Sequence, residues 1–319
     1  FNYSHSVAYC LMGYLCAYYR YYYPMEFATA FLNNAQNDDD IANGTRLMRA
    51  YGIRMSNPKW GVSRADYFFD KENKVIYKGL GSIKFMGVEP AEDLYKLAQS
   101  RNYKYFVDLL YDLTHETRID SRQTDLLIKI DFFSEFGNQR ELLRLVDMFT
   151  LFKKGEAKQL KKGAVDGTAI AEIVKRYAVG VTKSGGEAKS YTLLDVMSIL
   201  RDIEDLVKSV GMDDLSDTLK VQNFSSIMGS GSYISGREED RPKLIVSKMF
   251  PACRKRDGKQ FGYNVYTRSI GSGKESCFTI FNNVYDREPV KEGDLIYCKS
   301  YDRDKSGKYF TMTSYSRIV

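Results

Sequence analysis

The chain opens with residues 1–27, FNYSHSVAYCLMGYLCAYYRYYYPMEF, a stretch that predicts one long helix ended by a proline. Ser4 is a suitable N-cap, few helix breakers follow it, and Pro24 cannot continue a regular helix. The start of such a helix brings a hydroxyl, an imidazole and backbone N–H groups together, which favours binding of a phosphate group. On spacing alone, however, a simple cap at Ser4 beside an exposed His5 is the commoner interpretation.

The same predicted helix carries a run of tyrosines. Stacking of these rings on nucleobases is one interpretation. Because consecutive positions of a helix face all round its axis, we expect most of the rings to pack into a domain core instead. The tyrosines concerned are Tyr18, Tyr19, Tyr21, Tyr22 and Tyr23.

Beyond this stretch, apolar spacing predicts a helical region followed by a β-rich last quarter. Helical spacing recurs at residues 25–33, 41–51, 91–100, 103–113, 121–129, 138–152 and 193–207, and residues 67–77 predict a hairpin. Residues 153–190 show the weakest pattern and are predicted to connect domains, although residues 170–177 can form a helix. The Gly/Ser-rich residues 225–236 predict a boundary. Five β-rich runs follow at 244–249, 261–270, 275–284, 294–301 and 309–318. They predict a small barrel of the OB type, although an SH3-like barrel or a small sandwich has the same pattern.

Positive charge is concentrated in that last quarter. The net formal charge is +6, but residues 241–319 hold 16 Lys and Arg against 8 Asp and Glu, whereas residues 1–240 hold 31 against 33. A basic β-rich domain suits a polyanionic partner such as nucleic acid. Ordinary surface charge that keeps a protein soluble is the alternative.

The composition argues against a metal centre and against a membrane role. The five cysteines form no C-x-x-C pair, which predicts reduced thiols in a cytosolic protein, and two histidines do not indicate a zinc site. The longest largely apolar run, residues 6–19, is shorter than a membrane-spanning helix. The chain begins with Phe1 rather than Met, which predicts a piece of a longer protein.

Four motifs in order along about 140 residues carry a resemblance to one family. They are F-N-Y-S-H at residues 1–5 with Y-P-M-E-F at 23–27, G-I with a proline at 52–58, G-L-G-S-I-K at 79–84, and L-I-K with F-G-N-Q-R at 127–140. Together they resemble the C-terminal part of bacterial DNA polymerase III alpha subunits. The resemblance implies a multidomain fold with mainly α fingers in residues 1–78, a tandem helix-hairpin-helix region in 79–152, a linker and helical connection in 153–240, and a small all-β OB-type barrel in 241–319.

For the first helix, the resemblance implies contact with the triphosphate of an incoming deoxynucleotide. The positions carried over are Asn2, Ser4 and His5, and Tyr9 is expected to line the pocket one turn later. Tyr3 stands where the family commonly has a lysine, so one phosphate-contacting cation is missing from the motif.

The family also carries two helix-hairpin-helix elements, in which a Gly-containing turn lets backbone N–H groups approach DNA phosphates. In the first candidate turn, Phe85 replaces the usual first glycine, so close approach of the backbone is in question. A purely structural corner between helices is the alternative for both turns. The expected DNA contacts are Lys84 and Gly87 in the first turn and Gly137, Asn138 and Arg140 in the second.

A segment shortly after the second turn, LVDMF at residues 145–149, looks like a motif that binds sliding clamps. Leu145 stands where such motifs have a glutamine, so we expect a buried helix face instead.

In the predicted barrel, strand alternation places Asn264, Tyr266 and Arg268 on one face and Phe261, Tyr263 and Val265 on the other. One face must fill the barrel, and the other combines aromatic and basic side chains as single-stranded DNA requires. Residues 256–262 and 277–285 resemble the family's OB domain, which implies a role with the template strand. The expected DNA contacts are Lys255, Arg256, Lys259, Tyr266 and Arg268, and Phe278, Phe281, Tyr285, Tyr297 and Tyr301 can serve either core or surface.

Phosphoryl transfer by polymerases requires two metal ions held by paired carboxylates. In the family these carboxylates lie in the palm, upstream of the first motif, and magnesium is expected there. No catalytic residue, metal site or cofactor is therefore expected in this chain. The chain alone is not expected to polymerise DNA. Expected partners are primer–template DNA, its single-stranded template, deoxynucleotides, the rest of the polymerase chain, the sliding clamp and the clamp loader, with no membrane. The alternatives are a freestanding helix-hairpin-helix and OB protein of replication or repair, or a structural adaptor that docks onto the clamp.

Overall fold

The computed structural model describes residues 2–184, 187–228, 235, 237–305 and 309–318. The chain divides into two compact units, Phe1–Leu215 and Ser216–Val319. The barrel lies in the second unit, and the unit begins before the barrel's first strand because a helix at Asp217–Met228 belongs to it.

The first unit begins with the long helix that the sequence predicts. Helix α1 spans Tyr3–Tyr22, and Pro24 occupies the first position of the next helix, α2 (Pro24–Asn33). The N-cap of α1 is Asn2 rather than Ser4, so the predicted cap is wrong by two residues. Helix α3 (Asp38–Ala50) follows, and strands β1 (Arg54–Ser56), β2 (Phe68–Asp70) and β3 (Val75–Tyr77) form a sheet in the order β1-β3-β2. Strands β2 and β3 are antiparallel, as the predicted hairpin requires.

Helix α1 contributes no side chain to the hydrophobic core of the first unit. All of its side chains are exposed, and the prediction that the tyrosines at residues 18–23 pack into a domain core is wrong. The periodicity argument assumed that a helix apolar on every side has neighbours on every side. No surface that would cover α1 is formed by the part of the chain that the structure describes.

Four helices follow at the predicted places: α4 (Val88–Ser100), α5 (Phe106–Glu116), α6 (Ser121–Lys129) and α7 (Gln139–Leu151). The only tryptophan, Trp60, is buried among rings that come from several of these segments, and it donates its backbone N–H to the carbonyl of Phe132 at 3.1 Å. Edge-on and tilted ring contacts of this kind add to the stability that area burial supplies. The rings around Trp60 belong to Tyr103, Phe132, Phe133 and Phe136.

The part of the chain after residue 153, which was predicted to connect domains, contains three strands that the sequence analysis did not predict and a helix where it allowed one. Strands β4 (Gln159–Lys161), β5 (Ala178–Ser184) and β6 (Glu187–Leu193) form an antiparallel sheet in the order β4-β6-β5, with helix α8 (Ala171–Tyr177) between β4 and β5. Short strands rich in Lys, Gly and Ser carry little apolar alternation, and sheet pairing rather than local pattern defines them. Helix α9 (Val196–Val210) then ends at Gly211, whose φ is +67°.

A buried carboxylate of α9 joins it to α5. Glu204 has no exposed surface, and its two oxygens accept the backbone N–H groups of Phe106 and Val107, each at 2.9 Å. The ammonium of Lys208 donates to the same carboxylate at 2.6 Å. Since the N-cap of α5, Tyr105, makes no side-chain cap hydrogen bond, Glu204 satisfies the first donors of α5 in its place.

The second unit contains helix α10 (Asp217–Met228) and a closed five-stranded barrel. Its strands are β7 (Lys243–Cys253), β8 (Gln260–Ser269), β9 (Glu275–Phe281), β10 (Leu295–Arg303) and β11 (Phe310–Arg317), with a short helix, α11 (Asn282–Tyr285), after β9. The order around the barrel is β10-β11-β9-β8-β7, and β7 closes it by pairing with β10. The last strand thus lies between the third and the fourth, parallel to the third, which is the Greek-key arrangement of an OB-type barrel.

Gly262 in β8 allows close approach of β9. A Cβ atom at this position would lie 2.2 Å from the carbonyl oxygen of Ile280 and 2.9 Å from Cα of Phe281. Backbone atoms held in a paired strand cannot move away cheaply, so we expect Gly262→Ala to destabilise the second unit by about 1–3 kcal/mol. Calorimetric unfolding measures the effect. Gly180→Ala is the control, because Gly180 also lies in a strand but has no atom near its Cβ position; an equal loss in both variants would contradict this explanation.

A buried ionic cluster precedes the barrel. The carboxylate of Asp240 is buried and contacts Arg237 Nε and Lys243 Nζ, each at 2.8 Å. Burial alone would raise the pKa of Asp240, but hydrogen bonds from Lys243 and Ser235 and the two positive charges outweigh it, so the pKa is lowered.

A folded-state pKa below the unfolded value stabilises the fold above the ordinary Asp pKa of about 3.9, and this contribution is lost as pH falls through the lowered value. We therefore expect the unfolding temperature of the second unit to fall on acidification below about pH 4. In Asp240→Asn this part of the pH dependence should vanish, whereas the exposed Asp286→Asn should keep it. Parallel pH profiles for parent and Asp240→Asn would count against the assignment.

Candidate nucleic-acid interface

The four residues predicted to contact a nucleotide lie together at the start of α1. Asn2, the N-cap, accepts the backbone N–H groups of His5 and Ser6 with its carbonyl, at 3.0 and 3.1 Å, and its side chain makes no cap hydrogen bond. Ser4, His5 and Tyr9 are exposed on the first turns. The rings of His5 and Tyr9 meet edge to face with centroids 4.6 Å apart, so an imidazole and a phenol form one surface there. Phe1 lies outside the described residues.

The first hairpin is formed as a tight turn before α4. The backbone N–H of Met86 donates to the carbonyl of Ile83 at 3.1 Å, and both side chains are buried, whereas Lys84 and Phe85 are exposed. The left-handed residue of the turn is Phe85, with φ +64°, while Gly87 is the N-cap of α4 with an ordinary φ of −83°. A left-handed conformation costs a residue with a Cβ only about 1–2 kcal/mol. This cost is small enough for the turn to form with Phe85 in place of the usual glycine.

The second hairpin leads into α7, whose first donors are already bonded within the unit. Asn138 and Glu141 form a capping box, in which the backbone N–H of each donates to a side-chain oxygen of the other. The N–H of Gln139 donates to Asp214 at 3.1 Å, and the amide of Asn138 donates to the carbonyl of Met212 at 2.7 Å. Carboxylates thus occupy the place at this helix start where a phosphate would bind.

Of the predicted contacts in the second hairpin, the structure leaves Arg140 in the most open position. Its side chain is exposed on the first turn of α7, whereas Gly137 and Asn138 are only half-exposed. A contact of this hairpin with DNA would therefore involve a side-chain cation rather than the backbone donors that the sequence analysis emphasised.

The turn between β7 and β8 gathers the basic residues predicted for the barrel. The carbonyl of Arg254 accepts the N–H of Gly258, and that of Lys259 accepts the N–H of Arg254, both at 2.9 Å. This closed turn presents Lys255, Arg256 and Lys259, all exposed. Three cations on one turn provide an electrostatic contact for a phosphate backbone.

The outer face of β7, β8 and β9 carries aromatic and polar side chains, as strand alternation predicts for β8. Tyr266 pairs with Lys248, and Asn264 pairs with Phe250 and with Thr279. The rings of Phe250 and Tyr266 are 6.0 Å apart and perpendicular, and 53% and 47% of these residues are exposed. Two exposed rings beside a lysine and an amide can stack on bases and bind phosphate at the same time.

One other predicted residue, Arg268, and one residue that was not predicted, Cys277, lie near this face. Arg268 is half-buried at the end of β8, opposite Glu275 of β9. Cys277 pairs with Tyr266 on the β9 side, and burial raises the pKa of its thiol. Among the aromatics that the sequence left unassigned, Phe278 and Tyr285 pack in the barrel core, whereas Phe281, Tyr297 and Tyr301 are exposed.

The sequence analysis missed several residues of this surface. Lys248 and Phe250 follow the period of two along β7 and were detectable from it. Arg303 was not, because its significance comes from tertiary contacts: its guanidinium lies 5.3 Å from the Phe310 ring and 5.8 Å from the Tyr301 ring. A guanidinium beside the exposed Tyr301 ring and the half-buried Phe310 ring is a second place where bases can stack.

The clamp-like segment at residues 145–149 is a helix face, as expected. Leu145, Met148 and Phe149 are buried in α7. Within the described ranges, no group of three or more His, Cys, Asp and Glu is arranged to hold a metal ion. None of the helices in the described ranges has the length and apolar character needed to cross a membrane.

A helix-hairpin-helix region followed by an OB-type barrel defines a DNA-binding class of protein, and comparison with known sequences agrees. The family model described as "Helix-hairpin-helix motif" matches residues 52–143, which include both hairpins. The chain is 27% identical to a DNA polymerase III subunit alpha of Campylobacter jejuni over 91% of its own length and 24% of that relative. It is 24% identical to one of Helicobacter pylori over 96% of its own length and 26% of the relative.

A third relative, from Thermus aquaticus, is 31% identical over 45% of this chain and 12% of its own length. These comparisons confirm the resemblance that the four motifs indicated: the chain is a relative of bacterial DNA polymerase III alpha subunits. The chain spans about a quarter of the length of the Campylobacter jejuni and Helicobacter pylori relatives.

Proposed function

We propose that this chain performs the DNA- and nucleotide-holding work of a DNA polymerase III alpha subunit without supplying the catalytic carboxylates. In this proposal the barrel binds the single-stranded template, the hairpins contact the backbone of the primer–template duplex, and the first turn of α1 contacts the triphosphate of the incoming deoxynucleotide. The protein acts in the cytoplasm, where bacterial DNA is copied.

The observation that carries the proposal is the outer surface of the barrel. One continuous set of strands presents the exposed rings of Phe250 and Tyr266 beside Lys248, and three further cations occupy the β7–β8 turn. Stacking supplies affinity that is tolerant of sequence, and the cations neutralise phosphates. A replicative polymerase must hold template of any sequence in this way.

The exposure of α1 supports the proposal that this helix contacts a nucleotide within a larger polymerase polypeptide. A helix of 20 residues with exposed Leu, Met and Tyr side chains on all sides is not stable in water without cover. We propose that other parts of a polymerase polypeptide cover it, so that Ser4 and His5 face a nucleotide. The sliding clamp and the clamp loader remain proposed partners of such a polypeptide, with a clamp contact outside the buried residues 145–149.

Magnesium is the cofactor that the family resemblance implies for phosphoryl transfer. The resemblance places the carboxylates that hold it in the palm, upstream of the first motif, so no catalytic step is assigned to the residues of this chain. We expect the 319-residue chain to extend no primer when supplied with magnesium and deoxynucleotides.

The direct test is equilibrium binding of the chain to fluorescently labelled DNA, with a primer–template carrying a single-stranded overhang compared with free single strand. We expect binding to both, weakening steeply with salt because counterions are released. Absence of binding even at low salt would overturn the proposal. Primer extension by this chain alone would support DNA binding but refute the division of labour.

The nucleotide part of the proposal has its own test. In a DNA polymerase polypeptide that carries these residues, Ser4→Ala combined with His5→Ala should raise the KM for deoxynucleotides about tenfold or more, because two triphosphate contacts of about 1 kcal/mol each are lost. DNA affinity should not change, and Cys10→Ala further along α1 should leave both quantities unaltered. Unaltered nucleotide kinetics in the double variant would refute the site.

A further inference from the structure

Phe85 stands out in the first hairpin because its ring is exposed between two buried side chains of the same turn. Ile83 and Met86, on either side, are 2% and 7% exposed, whereas Phe85 is 61% exposed. The left-handed backbone of Phe85 produces this arrangement, since it reverses the chain between two buried anchors. A large apolar ring is therefore held on the outside of a turn that glycine would form more easily.

Helix α6 fixes the position of this ring. The backbone carbonyl of Phe85 accepts a hydrogen bond from the side-chain amide of Gln123 at 2.9 Å, and Gln123 is itself buried within the capping box of α6. The guanidinium of Arg122 lies 3.5 Å from the centre of the Phe85 ring. One face of the ring is thus covered by a cation, and the other face remains open for a ligand.

The charges around the ring favour an anionic ligand. Lys84 and Arg122 are exposed beside it, and Glu89, the acidic residue in the first turn of α4, is paired with Arg118. A ligand that is both anionic and flat fits this combination of ring and cations. An approach through backbone N–H groups alone, as at a glycine turn, would meet the Phe85 ring first.

We propose that the side chain of Phe85, supported by Arg122, stacks on an unpaired nucleobase next to a duplex, so that this hairpin contacts DNA through a ring and not only through its backbone. The proposal rests on the DNA-binding function proposed above. Bases inside a duplex have both faces covered by their neighbours, so only an unpaired or terminal base offers a face to the ring. The hairpin would then recognise the junction between duplex and single strand.

The test compares two DNA ligands with the full chain: a labelled duplex with a single-stranded overhang, and the same duplex with blunt ends. Phe85→Ala and Phe85→Gly should each weaken binding to the overhang DNA roughly five- to a hundredfold. Binding to blunt duplex should weaken by a smaller factor, because the chain can also bind the duplex interior, where no base offers an open face. The salt dependence should not change, because no charge is removed. Phe85→Tyr should bind like the parent, since it keeps a ring.

Folding is checked by unfolding each variant while following the fluorescence of Trp60, the single tryptophan, which is buried in the same unit. Phe85→Gly relieves the left-handed backbone and should be at least as stable as the parent. Tyr51→Ala, which removes another exposed ring of this unit, is the matched control and should not affect DNA binding.

The outcomes separate this inference from the function on which it rests. If the parent binds DNA and Phe85→Ala binds equally well, the stacking contact is refuted and the proposed function stands. Tighter binding by Phe85→Gly would show a backbone contact that the ring obstructs, which also refutes stacking. A parent chain that binds neither ligand overturns both proposals.

Discussion

Replacement of Glu204 by alanine is expected to destabilise the first unit by about 2–5 kcal/mol, because two buried backbone donors lose their acceptor. The donors are the N–H groups of Phe106 and Val107 at the start of α5, and both residues are fully buried, so water cannot replace the carboxylate. Glu204→Gln keeps one acceptor oxygen but turns an amide toward the second donor, and we expect an intermediate loss. Urea unfolding followed by Trp60 fluorescence measures both.

Glu172→Ala is the matched control for this prediction. Its carboxylate is 84% exposed and pairs only with Lys175 one turn further along α8, at 3.0 Å. Surface pairs of this kind contribute at most about 1 kcal/mol, so the unfolding midpoint should hardly move. If Glu204→Ala were as harmless as Glu172→Ala, the start of α5 would have to be satisfied in some other way.

Neutralising the three cations of the β7–β8 turn should have the largest effect on DNA binding. With Lys255, Arg256 and Lys259 all changed to alanine, we expect affinity for a single-stranded oligonucleotide to fall roughly a hundredfold at about 0.1 M salt. The slope of log affinity against log salt concentration should drop by about 2, since each lost phosphate contact on a single strand contributes about 0.7. Fluorescence anisotropy over a salt series measures both quantities.

A second triple variant controls for net charge. Lys274, Arg287 and Lys291 are exposed in other turns of the same barrel, and their replacement removes the same charge from the same unit. It should shift affinity only slightly and leave the slope near that of the parent. Equal losses in the two variants would mean that the barrel attracts DNA through its overall charge and that the β7–β8 turn is not a contact.

Much of the fold was predictable from local pattern. The bounds of α6 match the predicted residues 121–129, and those of α7 lie within one residue of the prediction at each end, because apolar spacing and the capping residues Asp120 and Asn138 are local signals. The five barrel strands lie where alternation and turns predicted them. Strands β4, β5 and β6 were missed, because β4 is defined by pairing with the distant β6, and the adjacent strands β5 and β6 carry little apolar alternation.

The candidate site was predictable to a lesser degree. The four residues predicted to contact a nucleotide do share the first turns of α1, and the basic turn of the barrel is exposed as expected. The bonding of the backbone donors at the second hairpin was not predictable, since Asp214 accepts the N–H of Gln139 from 75 residues further along the chain. The exposure of the tyrosines in α1 was predicted wrongly, because burial depends on which neighbours a helix has.

By itself, the sequence determined which segments form helices and strands and which family's motifs they carry, because hydrophobic period, caps and turn residues act over a few positions. Tertiary structure alone decided that Glu204 satisfies the start of α5, that carboxylates occupy the start of α7, and that Phe85 points outward beneath Arg122. Each of these depends on groups from distant parts of the chain meeting within hydrogen-bonding or contact distance, and no local pattern encodes such a meeting.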